Sequence, residues 1–259
     1  MKSNSQLNYS EKIDEPLNLF VYFNFLIIGC CALLPWNSLI TATEYFKYKF
    51  CDTAYEHLFE SYFTTFFNLA QLLGLVSQLY LEIYYDYRHT IQKPLLFSSV
   101  FFTLLSVSCF FKLSGSSYFY FCIPIIFSLG VSTIYLTCGV FARAASYVSP
   151  MYSQGTIVGQ ALAGVFVSLL SYFLDYDLPS ADFDDDYILD PSSSTSCGSY
   201  QPNIIGNATN YFAIVMVIIW VTFSIFSFWF YIVYSIKIVV GLLFFISIKR
   251  TNIYWTNTT

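Results

Sequence analysis

The chain has 259 residues, of which 56% are hydrophobic, 21% aromatic and only 10% charged, with 11 Lys and Arg against 16 Asp and Glu. A soluble domain carries roughly 25% charged residues, so this composition cannot furnish a water-facing surface, and the mean hydropathy of +0.59 points the same way. A soluble protein is thereby excluded, and the predicted class is an all-α, polytopic membrane protein.

Residues 1–18 form a polar tail with no small-residue cleavage site, so no removed signal peptide is expected. Six apolar stretches then follow at 19–46, 58–84, 95–111, 118–148, 151–174 and 211–236. A spanning helix needs roughly 20 residues, so the first and fourth are over-long and the third is short. Residues 238–248, between Lys237 and the pair Lys249 and Arg250, are too short to cross and read as interfacial or re-entrant. Basic residues near the span ends set orientation. With the N-terminus inside, Lys2, Lys12, Arg88, Lys93, Arg143, Lys237, Lys249 and Arg250 are cytoplasmic and Lys47, Lys49 and Lys112 are outside.

That orientation puts residues 175–210 outside. The segment holds Asp175, Asp177, Asp182, Asp184, Asp185, Asp186 and Asp190, no base and many Ser and Pro, and reads as a solvated loop. A calcium site is the sharper alternative, but the Gly turn and distal Glu of an EF-hand loop are missing. Asn207-Ala-Thr209 is an N-glycosylation triplet on the outer side, whereas Asn8-Tyr-Ser10 falls inside. Cys51 and Cys197 share the outer face, where a disulfide is open to them; Cys30, Cys31, Cys109, Cys122 and Cys138 fall in spans as small apolar residues. His57 and His89 lie in loops, and no HExxH, GxSxG or phosphate-cradling loop occurs. No enzyme activity, cofactor, metal site or nucleic-acid partner is expected.

The polar residues inside the spans carry the functional signal. In "LLPWNSLITATEYF", residues 33–46, Leu33, Trp36, Asn37, Ile40 and Glu44 fall within about a third of the helix circumference. Asn68, Gln71, Leu72, Leu75 and Gln78 repeat the pattern in the second span, and two such faces can line one cavity. Pro35 removes the bond to the Cys31 carbonyl, which is left for another helix, water or a ligand. For each amide the competing reading is an interhelical hydrogen bond. Gly155, Gly159 and Ala163 recur at intervals of four, as do Gln160, Gly164 and Ser168. Helix packing explains the glycines but leaves Gln160 to be satisfied in the contact or by substrate.

"LLPWNSLITATEYF" resembles the first-helix signature of the equilibrative nucleoside transporters (solute carrier family 29), and "YSQGTIVGQALAG", residues 152–164, resembles their fourth-to-fifth-helix signature. "GVFARAA" before it and "YFTTFFNLAQLLG" at 62–74 extend the match in order. The resemblance covers roughly residues 19–236, which corresponds to the N-terminal half of that fold. It implies a six-helix bundle like half of a major-facilitator-type carrier, and alternating access around a central site for nucleosides or nucleobases. It also implies that Leu33, Trp36, Asn37, Ile40, Leu72, Leu75 and Gln160 face that site. Thr137 and Cys138 stand where the family has a base-binding amide, so Cys138 takes that position. Arg143 is a second departure, a charge expected to snorkel at the helix end. An uncharged cargo with a flat base and a hydroxylated sugar suits apolar and aromatic walls with a few amides. The bilayer is the expected environment, with the plasma membrane favoured over an intracellular one. Residues 237–259 resemble nothing in the family and read as a truncated end. The alternative is therefore a non-transporting membrane fragment that associates with other membrane subunits.

Overall fold

The computed structural model describes residues 18–81, 88–111, 113–147, 149–175 and 204–256. The N-terminal tail, the acidic segment from residue 176 onward, Lys112, Cys197 and Asn8 lie outside the described residues, and with them the calcium alternative. Among the described residues all regular structure is helical: α1 Leu19–Thr41, α2 Thr43–Phe50, α3 Phe59–Leu81, α4 Lys93–Ser108, α5 Gly115–Ala145, α6 Met151–Asp175 and α7 Ile204–Thr256. A π-helical turn, Arg88–Gln92, leads into α4. Five helical segments are long and apolar enough to cross a membrane: Leu19–Thr41, Thr90–Ser108, Gly115–Ala145, Met151–Leu174 and Ile204–Phe228. The other expected span, α3, also has 23 residues but carries Glu60, Asn68, Gln71 and Gln78. The protein is a polytopic helical membrane protein.

Two boundaries differ from the sequence expectation. The over-long first span, 19–46, breaks at Ala42, where φ is −81° and ψ 34°. The hydroxyls of Ser38 and Thr41 donate to the carbonyls of Leu34 and Asn37 at 2.6 and 2.8 Å, and that of Thr43 to Ile40 at 2.9 Å. Such back-bonding bends helices, and here it separates the spanning α1 from the short α2. The last span is longer than expected. It runs from Ile204 to Thr256, 53 residues, without a break at 238–248, so that stretch continues the helix instead of re-entering. No proline lies within it to stop the helix, which at 1.5 Å per residue is about 80 Å long.

Packing is built on close backbone approaches. α1 and α6 run parallel: Gly155 faces Tyr22, Gly159 faces Leu26 and Cys30, Gly29 faces Thr156, and Gly164 faces Asn37. A Cβ at Gly159 would collide with the Leu26 carbonyl and one at Gly29 with the Thr156 carbonyl, so the backbones touch directly. α5 takes α3 on one side, through Gly130 on Phe67 and Gly74 on Ile134, and meets the turn before α4 through Gly139 on Thr90. α7 is fastened to the α4 region by polar contacts. Trp220 Nε1 donates to Thr103 Oγ1 at 2.8 Å, Ser106 Oγ to the Phe212 carbonyl at 3.4 Å, and Gln92 Nε2 to Ser227 Oγ at 3.1 Å.

The end of the bundle that carries α2 is closed by buried rings, with Phe46, Phe50, Phe59 and Phe63 packed on Tyr118, Phe119 and Phe212. Lys49 Nζ lies 5.4 Å from the Tyr118 ring centroid and donates to the Phe111 carbonyl at 3.4 Å; burial lowers its pKa below 10.5. Cys51, just beyond α2, is disulfide-bonded, whereas Cys30, Cys31, Cys109, Cys122 and Cys138 are free. The opposite end is tied by Tyr152, whose hydroxyl accepts from the backbone N–H of Asn18 at 3.0 Å, and by rings of Phe25, Tyr147 and Tyr152 in contact. Arg143 is exposed, with its guanidinium 5.8 Å from the Tyr147 ring centroid.

Candidate functional site

The stripe on α1 lies between two walls. On one side the Trp36 indole stacks on Phe67 of α3, ring centroids 4.0 Å apart and planes 12° from parallel. On the other, Asn37 reaches α6, where its Nδ2 lies 3.7 Å from a Cβ built on Gly164. Residues 36 and 37 are about 100° apart around the helix, so α1 forms a floor with α3 to one side and α6 to the other. Ile40 is half exposed on that floor, and Leu33 lies about two turns further in, partly buried.

The α6 wall follows from the parallel register. Gly164 pairs with Asn37, so Gln160, one turn earlier, comes level with Leu33. Both amides are half-buried, and neither side chain makes a hydrogen bond among the described residues. The interhelical bond that would explain Asn37 by packing alone is therefore not formed there. Two half-buried amides with spare donors and acceptors can bond a hydroxylated or heteroaromatic ligand.

The other expected residues are placed less centrally. Leu72 and Leu75 lie on the exposed face of α3. Leu75 is eight residues from Phe67, on the side of Asn68, Gln71 and Gln78, whereas Leu72 is about 140° around the helix from Phe67. Cys138 continues the ridge Gly130–Ile134, which packs on α3 at Phe67 and Gly74. Cys138, one turn beyond Ile134, is half-buried. Asn207 sits in the first turn of α7, half-buried.

Phe67 was not singled out from the sequence, and it is the residue that Trp36 rests on. Its only signal was a place four residues before Gln71, on the same stripe. Two buried hydroxyls, Thr133 Oγ1 and Tyr211 Oη, have no hydrogen-bond partner among the described residues.

No protein-family model matches the chain. It is 31% identical over 190 residues to nucleoside transporter FUN26 of Saccharomyces cerevisiae, a match that covers 65% of this chain and 35% of that protein. To equilibrative nucleotide transporter 1 of Arabidopsis thaliana it is 25% identical over 159 residues, covering 58% of this chain and 34% of the relative. The chain thus spans about a third of the length of the curated relatives it matches. Over about 60% of its own length the chain is similar to proteins named as nucleoside and nucleotide transporters.

Proposed function

We propose that the chain lines part of a path for nucleosides in facilitative transport across a membrane, with α1, α3 and α6 as one side of the site and alternating access as the mechanism. Nucleosides are the primary cargo and nucleobases a secondary one; the plasma membrane is the expected location. The observation that carries this reading is the Asn37 amide, half-buried and without a hydrogen-bond partner among the described residues, next to the aromatic surface of Trp36. An uncharged ligand with a flat ring and hydroxyls matches both, and its movement needs no covalent step.

Saturable uptake of radiolabelled uridine by cells expressing the chain, corrected for surface abundance, tests the proposal. A lost hydrogen bond to a half-buried partner is worth about 1–2 kcal/mol, so Asn37→Ala should lower apparent affinity about 5- to 30-fold. Trp36→Ala should do at least as much. Parental affinity in both variants removes them from the site, and a fall in abundance alone supports packing roles.

A second reading is a membrane subunit that docks on another membrane protein. It is favoured by α3, where Asn68 is exposed and Gln71 and Gln78 half exposed on an otherwise apolar helix, since amides facing lipid require a protein or water cover. Absence of saturable flux, together with co-purification of a membrane partner that Asn68→Leu weakens, would select this reading.

A further inference from the structure

We infer that Phe67 is a positioning residue: it orients the Trp36 indole so that one face alone is offered to a flat heteroaromatic ring, which becomes the third layer of a stack. The inference rests on the nucleoside reading above for the identity of that ring.

The stack is close and nearly parallel, 4.0 Å between centroids and 12° between planes, and it covers one face of the indole. Phe67 is itself 3% exposed, so it is a fixed support and does not contact solvent or ligand. What fixes it is α5. A Cβ at Gly130 would stand 2.7 Å from the Phe67 carbonyl oxygen, 2.8 Å from Ala70 Cβ and 3.3 Å from Phe67 Cδ2. Only a residue without a side chain lets α3 come this near to α5, and that approach carries the Phe67 ring beneath the indole. The indole cannot swing about its side-chain torsions without losing the stack, so its second face keeps one direction. The second face is turned away from the Phe67 ring, and Trp36 as a whole is only half-buried. Flat rings favour offset stacking at such distances, and a preset platform saves the ordering cost that a free indole would bring to binding.

The test reads the indole directly and then the ligand. The emission of Trp36 is isolated as the difference between the parental protein and Trp36→Phe, and is measured again with both in the Phe67→Leu background, in purified full chain whose melting temperature confirms folding. Phe67→Leu, which keeps an apolar side chain but has no ring face, is expected to raise acrylamide quenching of the Trp36 component at least twofold and to lower its anisotropy. Phe67→Tyr, which keeps the ring, is expected to leave both unchanged. For uridine and adenosine, Phe67→Leu should raise KM about tenfold with maximal flux per molecule nearly unchanged, as for loss of ground-state and transition-state binding alike. Equal quenching and anisotropy in Phe67→Leu and the parental protein would overturn the inference, as would an unchanged KM despite a freed indole. If Phe67→Leu fails to fold, Phe67→Met reads the same quantities. Should the parental protein show no nucleoside binding while Phe67→Leu still frees the indole, the positioning role stands and the nucleoside reading falls.

Discussion

Replacing Gly159 by alanine tests the parallel α1–α6 contact on which the site depends. The new Cβ would collide with the carbonyl of Leu26 and stand 2.9 Å from the amide nitrogen of Cys30. Both are backbone atoms, so no rotamer change relieves the overlap, and carbon contacts begin at about 3.5 Å. The helices must therefore separate by about 1 Å along a seam that Gly29 and Gly155 hold closed at neighbouring turns. Overpacking of this kind costs about 1–3 kcal/mol, and the backbone obstruction puts Gly159 at the upper end. The better helix propensity of alanine returns about 1 kcal/mol, which leaves a net loss of about 2 kcal/mol. For a chain of this size that corresponds to a fall in Tm of about 4–8 °C. Gly164→Ala is the matched control, on the same helix, because among the described residues its Cβ would meet only Asn37 Nδ2 at an ordinary 3.7 Å. It keeps the propensity gain without the overlap, so its Tm should equal or exceed the parental value. Thermal unfolding of both variants in one detergent, followed by intrinsic fluorescence, makes the comparison. If Gly159→Ala melts with or above Gly164→Ala, the close backbone contact is not what holds α1 to α6.

Gly164→Ala should also narrow the space beside the Asn37 amide, so uridine uptake per surface molecule falls although stability does not. Thr133→Val removes a buried hydroxyl that has no partner among the described residues and conserves shape; a gain of about 1 kcal/mol is expected, read as a higher Tm, and a loss would show that the hydroxyl is bonded. Ala54→Cys, on the exposed turn after α2, should react with an impermeant thiol reagent in intact cells, because the basic residues put that end outside; labelling only after permeabilisation would invert the orientation. At Asn207 the first turn of α7 restricts access, so a partial glycosidase-sensitive mass shift lost in Asn207→Gln is expected; a shift lost only in Asn8→Gln would again invert it.

Asn37 and Gln160 stood out in the sequence as candidate site residues because polar groups are conspicuous in an apolar background. Their juxtaposition was legible only in part. The four-residue spacing of Gly155, Gly159 and Gly164's neighbours announced a close helix contact, but not that α1 was the partner or that Gly164 would come level with Asn37. Phe67 was hidden because one phenylalanine among 28 carries no mark of its role. Cys138 was proposed from its place before the "GV" of its helix, and it lies one turn beyond Ile134, which packs on Gly74 of α3.

The amino-acid sequence alone determined the class of this protein and the approximate position of its membrane-spanning segments. Those properties depend on local hydropathy and length, which each stretch carries by itself. The tertiary structure alone decided which face of each helix is buried, where α1 gives way to α2, and which ring supports Trp36. In a soluble helix an apolar stripe marks the inward face, but here lipid is as apolar as the core and both faces look alike. The inward face is therefore set by how nearly two backbones can approach, a property of pairs of helices that appears only once Gly159 lies on Leu26 and Gly130 on Phe67.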